Sequence, residues 1–472
     1  MNAKPPSPGL SDAGEHRPTT APQDDVSTPQ PLSSGLPPAA AFDALGLPPE
    51  LVDKMTGLGV TEPFPIQAAT LPNALAGHDV LGRARTGSGK TLAFGLALLT
   101  RTAGRRAESK RPLALVLVPT RELAQQVSDA MEPYAQTMNV RLATVVGGLS
   151  INRQQAQLRT GVEVLIATPG RLTDLVSRRD CVLNHVRITV LDEADQMCDL
   201  GFLPQVSELL DQIPADGQRL LFSATLDHNV DQLVRKYLHD PVHASVDRVA
   251  GSVTTMEHHV LNIHGADKYA TATEIAARDG RVLMFLDTKA GVDQFTRHLR
   301  ASGIRASALH SGKSQPQRMH TLAQFKNDEI NVLVATNVAA RGIHIDALDL
   351  VVNVDPPADA KDYLHRAGRT ARAGESGSVV TLVTHGQRRD VNRLMSDAGI
   401  RPTVTQVRSG EAALTAITGA KRPPTGPKTS TGNAPFRGIG TRPGRAAKES
   451  RKTADARKAA EARAAARVRK SR

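Results

Sequence analysis

Three short stretches of the chain carry residue types that could do chemistry: "ARTGSGKT" at 84–91, "LDEAD" at 191–195 and "HRAGRTAR" at 365–372. In the first, Ala84, Arg85, Thr86, Gly87, Ser88, Gly89, Lys90 and Thr91 lie between a strand-like run and an apolar helical run, the setting a phosphate loop needs. Successive backbone N–H groups and the helix start make a concave positive site, Lys90 reaches terminal phosphates, and the Thr91 hydroxyl can hold Mg2+. Ala84 stands where the general pattern has its first glycine. A chance Gly-Lys-Thr turn is the competing reading, but strand, glycines and helix fall in register. In the second stretch, Asp192 and Glu193 end the apolar run "ITVL". Two carboxylates at a buried strand end are costly without a cation. Mg2+ on Asp192, partly through water, removes that difficulty and leaves Glu193 as general base for hydrolysis; an N-cap role for Asp192 is the alternative. The third stretch holds three arginines and a histidine, with Arg369 standing 279 residues beyond Lys90. Which anion they meet depends on the scaffold.

At 472 residues the chain exceeds what one hydrophobic core usually supports, so two domains plus tails are expected. Residues 1–40 hold nine prolines with many Ser and Thr, a composition that cannot offset chain entropy, and disorder is expected there. Over 41–245, apolar runs such as "DVLGRA", "LALVLVPT", "VEVLIATPG", "ITVLDEAD" and "RLLFSAT" alternate with helical patterns. Strands buried on both faces with helices between them imply an α/β unit with a parallel sheet. A link is expected at 246–258. The same grammar repeats over 259–407 in "RVLMFLDT", "INVLVATN", "LDLVVNVDPP" and "GSVVTLVT". Residues 408–472 are then a basic low-complexity tail. Ligands of such sheets sit beyond the carboxyl ends of the strands, where the polar and glycine-rich segments collect.

The net charge of +12 is not spread evenly: residues 408–472 hold seventeen Lys and Arg against four acids, +13, so residues 1–407 sum to −1. A nucleic-acid surface on the body must therefore come from local arrangement. Phe436 is the only Phe, Tyr or Trp after Arg408, which favours a phosphate tether over base stacking in the tail; a solvated extension is the bland alternative. The apolar runs are too short for a membrane span, and the first residues lack the charged start and apolar core of a signal peptide. Cytoplasmic residence is expected, with Cys181 and Cys198 as reduced packing residues.

Taken together, "DEAD" at 192–195, "ARTGSGKT" before it and "SAT" at 223–225 after it resemble the DEAD-box ATP-dependent RNA helicases, bacterial type, of superfamily 2. "PFPIQ" (63–67), "PTREL" (119–123), "GG" (147–148), "TPGR" (168–171), "ATNVAARGIHI" (335–345) and "HRAGRTAR" extend the likeness across about residues 42–405. The resemblance implies two tandem RecA-like domains, ATP with Mg2+, and RNA of little sequence preference. It implies adenine recognition by Gln67, whose amide both donates and accepts, with Phe42 as the upstream aromatic. It implies that His365 links to the hydrolytic site and that Arg369 and Arg372 meet the γ-phosphate as arginine fingers, so that both lobes touch one phosphate only on closure; a basic face binding RNA directly is the alternative. Pro119, Thr120, Arg121, Gly147, Gly148, Thr168, Gly170 and Arg171 match RNA-contacting positions in the first lobe, and Arg318, Thr336, Arg341 and Gly342 in the second. Gly342 and His344 also fall at the nucleotide edge of the site, and Ser223, Ala224 and Thr225 match the element coupling hydrolysis to unwinding.

The expected activity is RNA-stimulated ATP hydrolysis coupled to lobe closure and local unwinding of short duplexes, by a monomer with ribosomal or RNA-decay complexes as partners and no membrane. An ATP-gated annealing clamp is a second reading, against which Glu193 speaks; a DNA translocase is a third. Several positions depart from the family pattern. Asn337 and His344 replace aspartates, which predicts weaker or pH-sensitive nucleotide binding. Val60, Phe64 and Ala371 also differ, and "LHSGKSQ" (309–315) puts Lys313 near the expected RNA path.

Overall fold

The computed structural model describes residues 36–84, 87–246, 256–340, 348–370 and 376–424. The first lobe is one parallel sheet of seven strands, β1 (Val80–Arg83), β2 (Ala114–Leu117), β3 (Leu142–Val145), β4 (Val164–Ala167), β5 (Ile188–Asp192), β6 (Gln218–Ser223) and β7 (Val242–Ser245). The second lobe repeats it with β8 (Met256–Ile263), β9 (Val282–Phe285), β10 (Ala306–Leu309), β11 (Val332–Ala335), β12 (Leu350–Asn353), β13 (Gly377–Thr384) and β14 (Thr403–Gln406). The strand orders are β3-β4-β2-β5-β6-β1-β7 and β10-β11-β9-β12-β13-β8-β14, the same order shifted by seven.

Both faces of each sheet are covered by helices, and the side chains alternate accordingly. Ala114 and Val116 of β2 join one apolar core while Leu115 and Leu117 join the other; in β9, Val282 and Met284 face one way and Leu283 and Phe285 the other. That two-sided burial is why these runs read as nearly continuous apolar segments.

Every run expected as a strand is one. Five further strands, β3, β7, β8, β10 and β14, had not been expected, and four of them form the sheet edges. β8 begins at Met256, inside the stretch expected as a link. The second lobe also continues past residue 407: Leu414 and Ala420 enter its core, and Glu274 accepts hydrogen bonds from the Ser409 hydroxyl and the Gly410 N–H. At the other end, Leu36 and Ala39 hydrogen-bond Asn73 and Ala68 on the helix Pro65–Ala76, so residues 36–40 are tethered to the first lobe, contrary to the expected disorder. Residues 1–35 and 425–472, the remainder of the expected tails, lie outside the described residues. Among the described residues, no helix is long and apolar enough to cross a membrane.

Candidate active site

The loop after β1 leads into the helix Lys90–Thr102. Lys90 is buried at its first turn, and its Nζ donates to the Ala84 carbonyl at 3.0 Å. The ammonium is thus held on the residue that opens the loop. Ser88 Oγ is buried without a hydrogen-bond partner, a polar atom that a phosphate oxygen would satisfy. Thr91 stands one residue on, half-buried, while Arg85 and Thr86 lie outside the described residues. Gly87 and Gly89 both adopt a φ of +88°, which favours glycine, and a Cβ at Gly89 would lie 2.5 Å from Gln67 Nε2.

Gln67 is 1% exposed; its Nε2 donates to the Gly89 carbonyl at 3.0 Å and its Oε1 accepts from Phe64 N–H at 2.9 Å. The amide braces the loop, so reading a base means exchanging one of these bonds. Phe42 is 3% exposed and packed in the first-lobe core, so its ring face is not open to a base in this structure; the apolar neighbours that bury it outcompete water for that surface. The exposed ring at this edge is Phe64, at 57%.

Asp192 ends β5 and Glu193 starts the next turn with φ +52°, a left-handed conformation costing on the order of 1 kcal/mol for a side chain of this kind. Both carboxyls are buried, and Asp192 accepts from Glu193 N–H at 3.0 Å, so it is not the helix N-cap. Burial pushes the Asp192 carboxyl up to about 7, against the pull of Lys90. A cation beside it would remove that penalty, and Mg2+ fits the donor set of Asp192, the Thr91 hydroxyl and substrate phosphates. Among the described residues, no group of three or more His, Cys, Asp or Glu makes a self-contained metal cage.

Asp195 was not singled out by sequence reasoning, yet it ties "DEAD" to "SAT". Its Oδ2 accepts from Thr225 N–H at 3.0 Å and from the Thr225 hydroxyl at 2.9 Å, and its own N–H donates to Ser223 Oγ at 3.2 Å. Ser223 Oγ in turn donates to the Thr225 carbonyl, closing the turn around Ala224. The partners are about thirty residues apart in sequence, and no local spacing rule reports such a bond.

The expected RNA positions of the first lobe gather after β2, β3 and β4, beside β5, β6 and β1, which lead into the expected nucleotide segments. After Pro119, Thr120 caps the helix Arg121–Thr137, accepting from Leu123 N–H. Arg121 lies against Gly147 and Gly148; a Cβ at Gly148 would fall 2.1 Å from its Nη1. Thr168 precedes the helix Pro169–Ser177, where Gly170 is exposed and Arg171 donates to the Leu149 carbonyl at 3.1 Å. Burial, followed by the charges of Arg318 and Arg171, holds Arg121 below the ordinary arginine range despite Glu122. Three guanidinium groups therefore share one neighbourhood, a field that suits a phosphate chain.

In the second lobe, Arg318 is buried and donates through Nε to Glu122 Oε1 at 2.8 Å, alongside Gln315 Nε2 at 2.9 Å. Its guanidinium is spent bridging the lobes. Lys313 is likewise engaged within its own lobe, on Asp293 at 2.8 Å. Thr336, nearly buried, follows β11 and accepts from Ala339 and Ala340 N–H groups, while Arg341, Gly342 and His344 lie outside the described residues. The helix Ala360–Ala367 carries His365, half-buried, and is followed by buried Arg369; Ala371 and Arg372 lie outside the described residues. Arg366 is structural, donating to Asn353 Oδ1 and the Asp355 carbonyl. This helix reaches the first lobe through Lys361, whose Nζ donates to Asp199 Oδ1 at 2.7 Å and Asp227 Oδ2 at 2.6 Å. Sequence reasoning missed Glu122, Gln315, Lys361, Asp199 and Asp227, because each acquires its meaning only from a partner in the other lobe.

Comparison with known proteins agrees with this layout. A family described as DEAD/DEAH box helicase matches residues 64–233, and one described as helicase conserved C-terminal domain matches residues 267–374. The chain is 39% identical over 379 residues to DEAD-box ATP-dependent RNA helicase 30 of Arabidopsis thaliana, covering 78% of this chain and 64% of that one. The curated relatives are longer, the matched part spanning from 38% to 65% of their length. S. cerevisiae Dbp5 bound to RNA and ADP BeF3 matches with a TM-score of 0.71 at 29% identity, over 80% of this chain and 99% of that one. A single-residue variant of it, in the same bound state, matches at 30% identity with a TM-score of 0.69, over 78% of this chain and 96% of that one.

Proposed function

Because the chain belongs to the DEAD/DEAH box helicases, we propose that it is an RNA-dependent ATPase that separates short RNA duplexes by closing its lobes on nucleotide and single-stranded RNA. The observation that carries this reading is a single convergence. The loop after β1, the acidic end of β5 and the "SAT" turn after β6 lie on adjacent strands, and the helix bearing His365 is docked against the elements that follow two of them.

In the proposed cycle Lys90 exchanges the Ala84 carbonyl for the terminal phosphates, and Ser88 gains its missing partner there. Gln67 gives up one brace to read the adenine edge. Glu193, held by its strained turn, takes a proton from the attacking water. Asp192 and the Thr91 hydroxyl would hold Mg2+, which would neutralise charge on the phosphates. Arg369 and Arg372 meet the charge that spreads over the γ-phosphoryl oxygens; such groups are worth about 10³ to 10⁵ in rate. ATP and water become ADP and phosphate. Arg121, Arg171 and the turn residues Thr120, Gly147, Gly148, Thr168 and Gly170 hold sugar and phosphate, which gives weak sequence preference. Both ligands favour the closed form, so each raises the other's affinity by the same factor. The setting proposed is the cytoplasm, where the buried free thiols of Cys181 and Cys198 stay reduced.

The test is steady-state ATP hydrolysis with single-stranded RNA or DNA of one sequence at two salt concentrations, with Glu193→Gln as the inactive control. RNA is expected to stimulate and DNA not. Equal stimulation by both would replace the RNA reading with a translocase acting on either polynucleotide.

A further inference from the structure

We propose that Lys361 is a latch for the closed form, a positioning residue that holds the His365 helix against the hydrolytic elements of the first lobe. The inference rests on the function proposed above and adds to it a residue outside the recognised motifs.

Lys361 is the second residue of the helix Ala360–Ala367, one turn before His365 and two before Arg369, so it shares a helix face with the histidine. Its Nζ meets two carboxylates from two separate elements. Asp199 ends the helix Ala194–Asp199 that begins within "DEAD", and Asp227 caps the helix His228–Tyr237 that follows "SAT". Asp227 is already oriented: its Oδ1 accepts from Asn229 and Val230 N–H groups, which leaves Oδ2 for the lysine. A fixed acceptor reduces the entropy lost on pairing. The short helix therefore carries two connections. Asp195 near its start holds Thr225, and Asp199 at its end holds Lys361.

The charge arrangement is one-sided. Without Lys361, the Asp199 and Asp227 carboxylates would lose the cation they share. Burial works against the charged lysine, yet its two hydrogen-bonded carboxylates outweigh that and raise Lys361 above the ordinary lysine range, while Asp227 is lowered. The three side chains are only 30%, 19% and 33% exposed, so the contact is less screened than an open surface pair. The bridge from Glu122 to Gln315 and Arg318 holds the junction on the RNA side. Lys361 holds it on the side of the hydrolytic helix.

The experiment compares full-length wild type with Lys361→Glu, Lys361→Arg and the double variant Lys361→Glu/Asp199→Lys. It measures binding of a labelled single-stranded oligoribonucleotide with ADP·BeF3 present, and ADP affinity without RNA. Lys361→Glu is expected to weaken RNA binding by about tenfold or more, because it replaces the shared cation of a half-buried cluster with a third carboxylate, with ADP affinity unchanged. The arginine variant should keep wild-type RNA binding, and the double variant should recover most of the loss. Wild-type RNA affinity in Lys361→Glu, a matching loss of ADP affinity, or no recovery in the double variant would each overturn the latch. A wild type whose RNA binding ignores ADP·BeF3 would instead overturn the proposed function.

Discussion

The two lobes place a lysine and an aspartate at corresponding points and use them in opposite ways. In the first, Lys90 opens the helix after β1 and Asp192 ends β5; in the second, Lys268 opens the helix Lys268–Ala276 after β8 and Asp355 follows β12. Lys268 is ion-paired to Asp355, and Asp355 also accepts from Asp287 N–H. Lys90 instead rests on a neutral carbonyl, and burial pushes the Asp192 carboxyl up. One pair is closed upon itself. The other is not, and lies behind a loop turned by two glycines at a φ of +88°, the place proposed above for phosphate. The difference teaches that the duplicated scaffold supplies position alone, and the connecting loops decide whether a position becomes a cradle or a structural tie.

Four measurements would sharpen or break that contrast. The largest effect concerns turnover: Glu193→Gln in the first lobe and Arg369→Ala in the second should each lower kcat by about 10³-fold or more while ADP binding persists, as isothermal titration would show. If Arg369→Ala abolished ADP binding, the nucleotide would not belong chiefly to the first lobe. Next, Lys268→Ala should destabilise the second lobe by about 1 to 2 kcal/mol, since it strands a half-buried carboxylate, and leave ADP affinity intact. Lys90→Ala should do the reverse, losing nucleotide with little change in melting.

A smaller effect belongs to Glu163, fully buried and gripped by Arg141 at 2.6 Å. Burial alone would raise its carboxyl, but Arg141 and two backbone N–H groups outweigh that and hold it down at about 2. A depressed folded pKa means that the stabilisation is complete above the unfolded value near 4.5 and fades as pH falls toward 2. Glu163→Gln should therefore cost about 2 kcal/mol at neutral pH and almost nothing near the acid end, read by denaturant unfolding of the first lobe. A pH-independent cost would refute the assignment. The smallest effect is that of the basic tail. Truncation after Pro424, which spares the packed Leu414 and Ala420, should weaken RNA binding mainly at low salt and flatten the salt slope; an unchanged slope would reject a phosphate tether.

What could be read along the chain follows burial for most strands, though β10 (Ala306–Leu309), buried at every position, was missed because its Ala and Ser residues carry little apolar signal. β2, β4, β5, β9, β11 and β12 lie inside their sheets, covered on both faces, and their near-continuous Val, Leu and Ile runs announced them. β3, β7 and β14 are edges whose half-buried or exposed positions carry residues such as Thr144, His243, Thr403 and Gln406, a weaker signal that blends with loop composition. The same division holds at the site. Lys90, Asp192 and Glu193 sit in contiguous segments whose chemistry is local, so spacing alone singled them out as candidates. Phe42 was recognisable by position, but its burial in the core was not, because packing depends on neighbours such as Leu51 and Met55 that no motif records.

The order of apolar runs and the short glycine-rich and acidic segments were enough, by themselves, to determine a doubled parallel α/β architecture and to mark a candidate nucleotide site, since strand burial and loop chemistry are properties of neighbouring residues. Tertiary structure alone decided that Asp195 serves Thr225, that Arg318 serves Glu122 and that Lys361 joins Asp199 to Asp227. Such contacts form between segments that meet only when two sheets have folded and come together, and the free energy of a charge depends on whatever geometry then surrounds it.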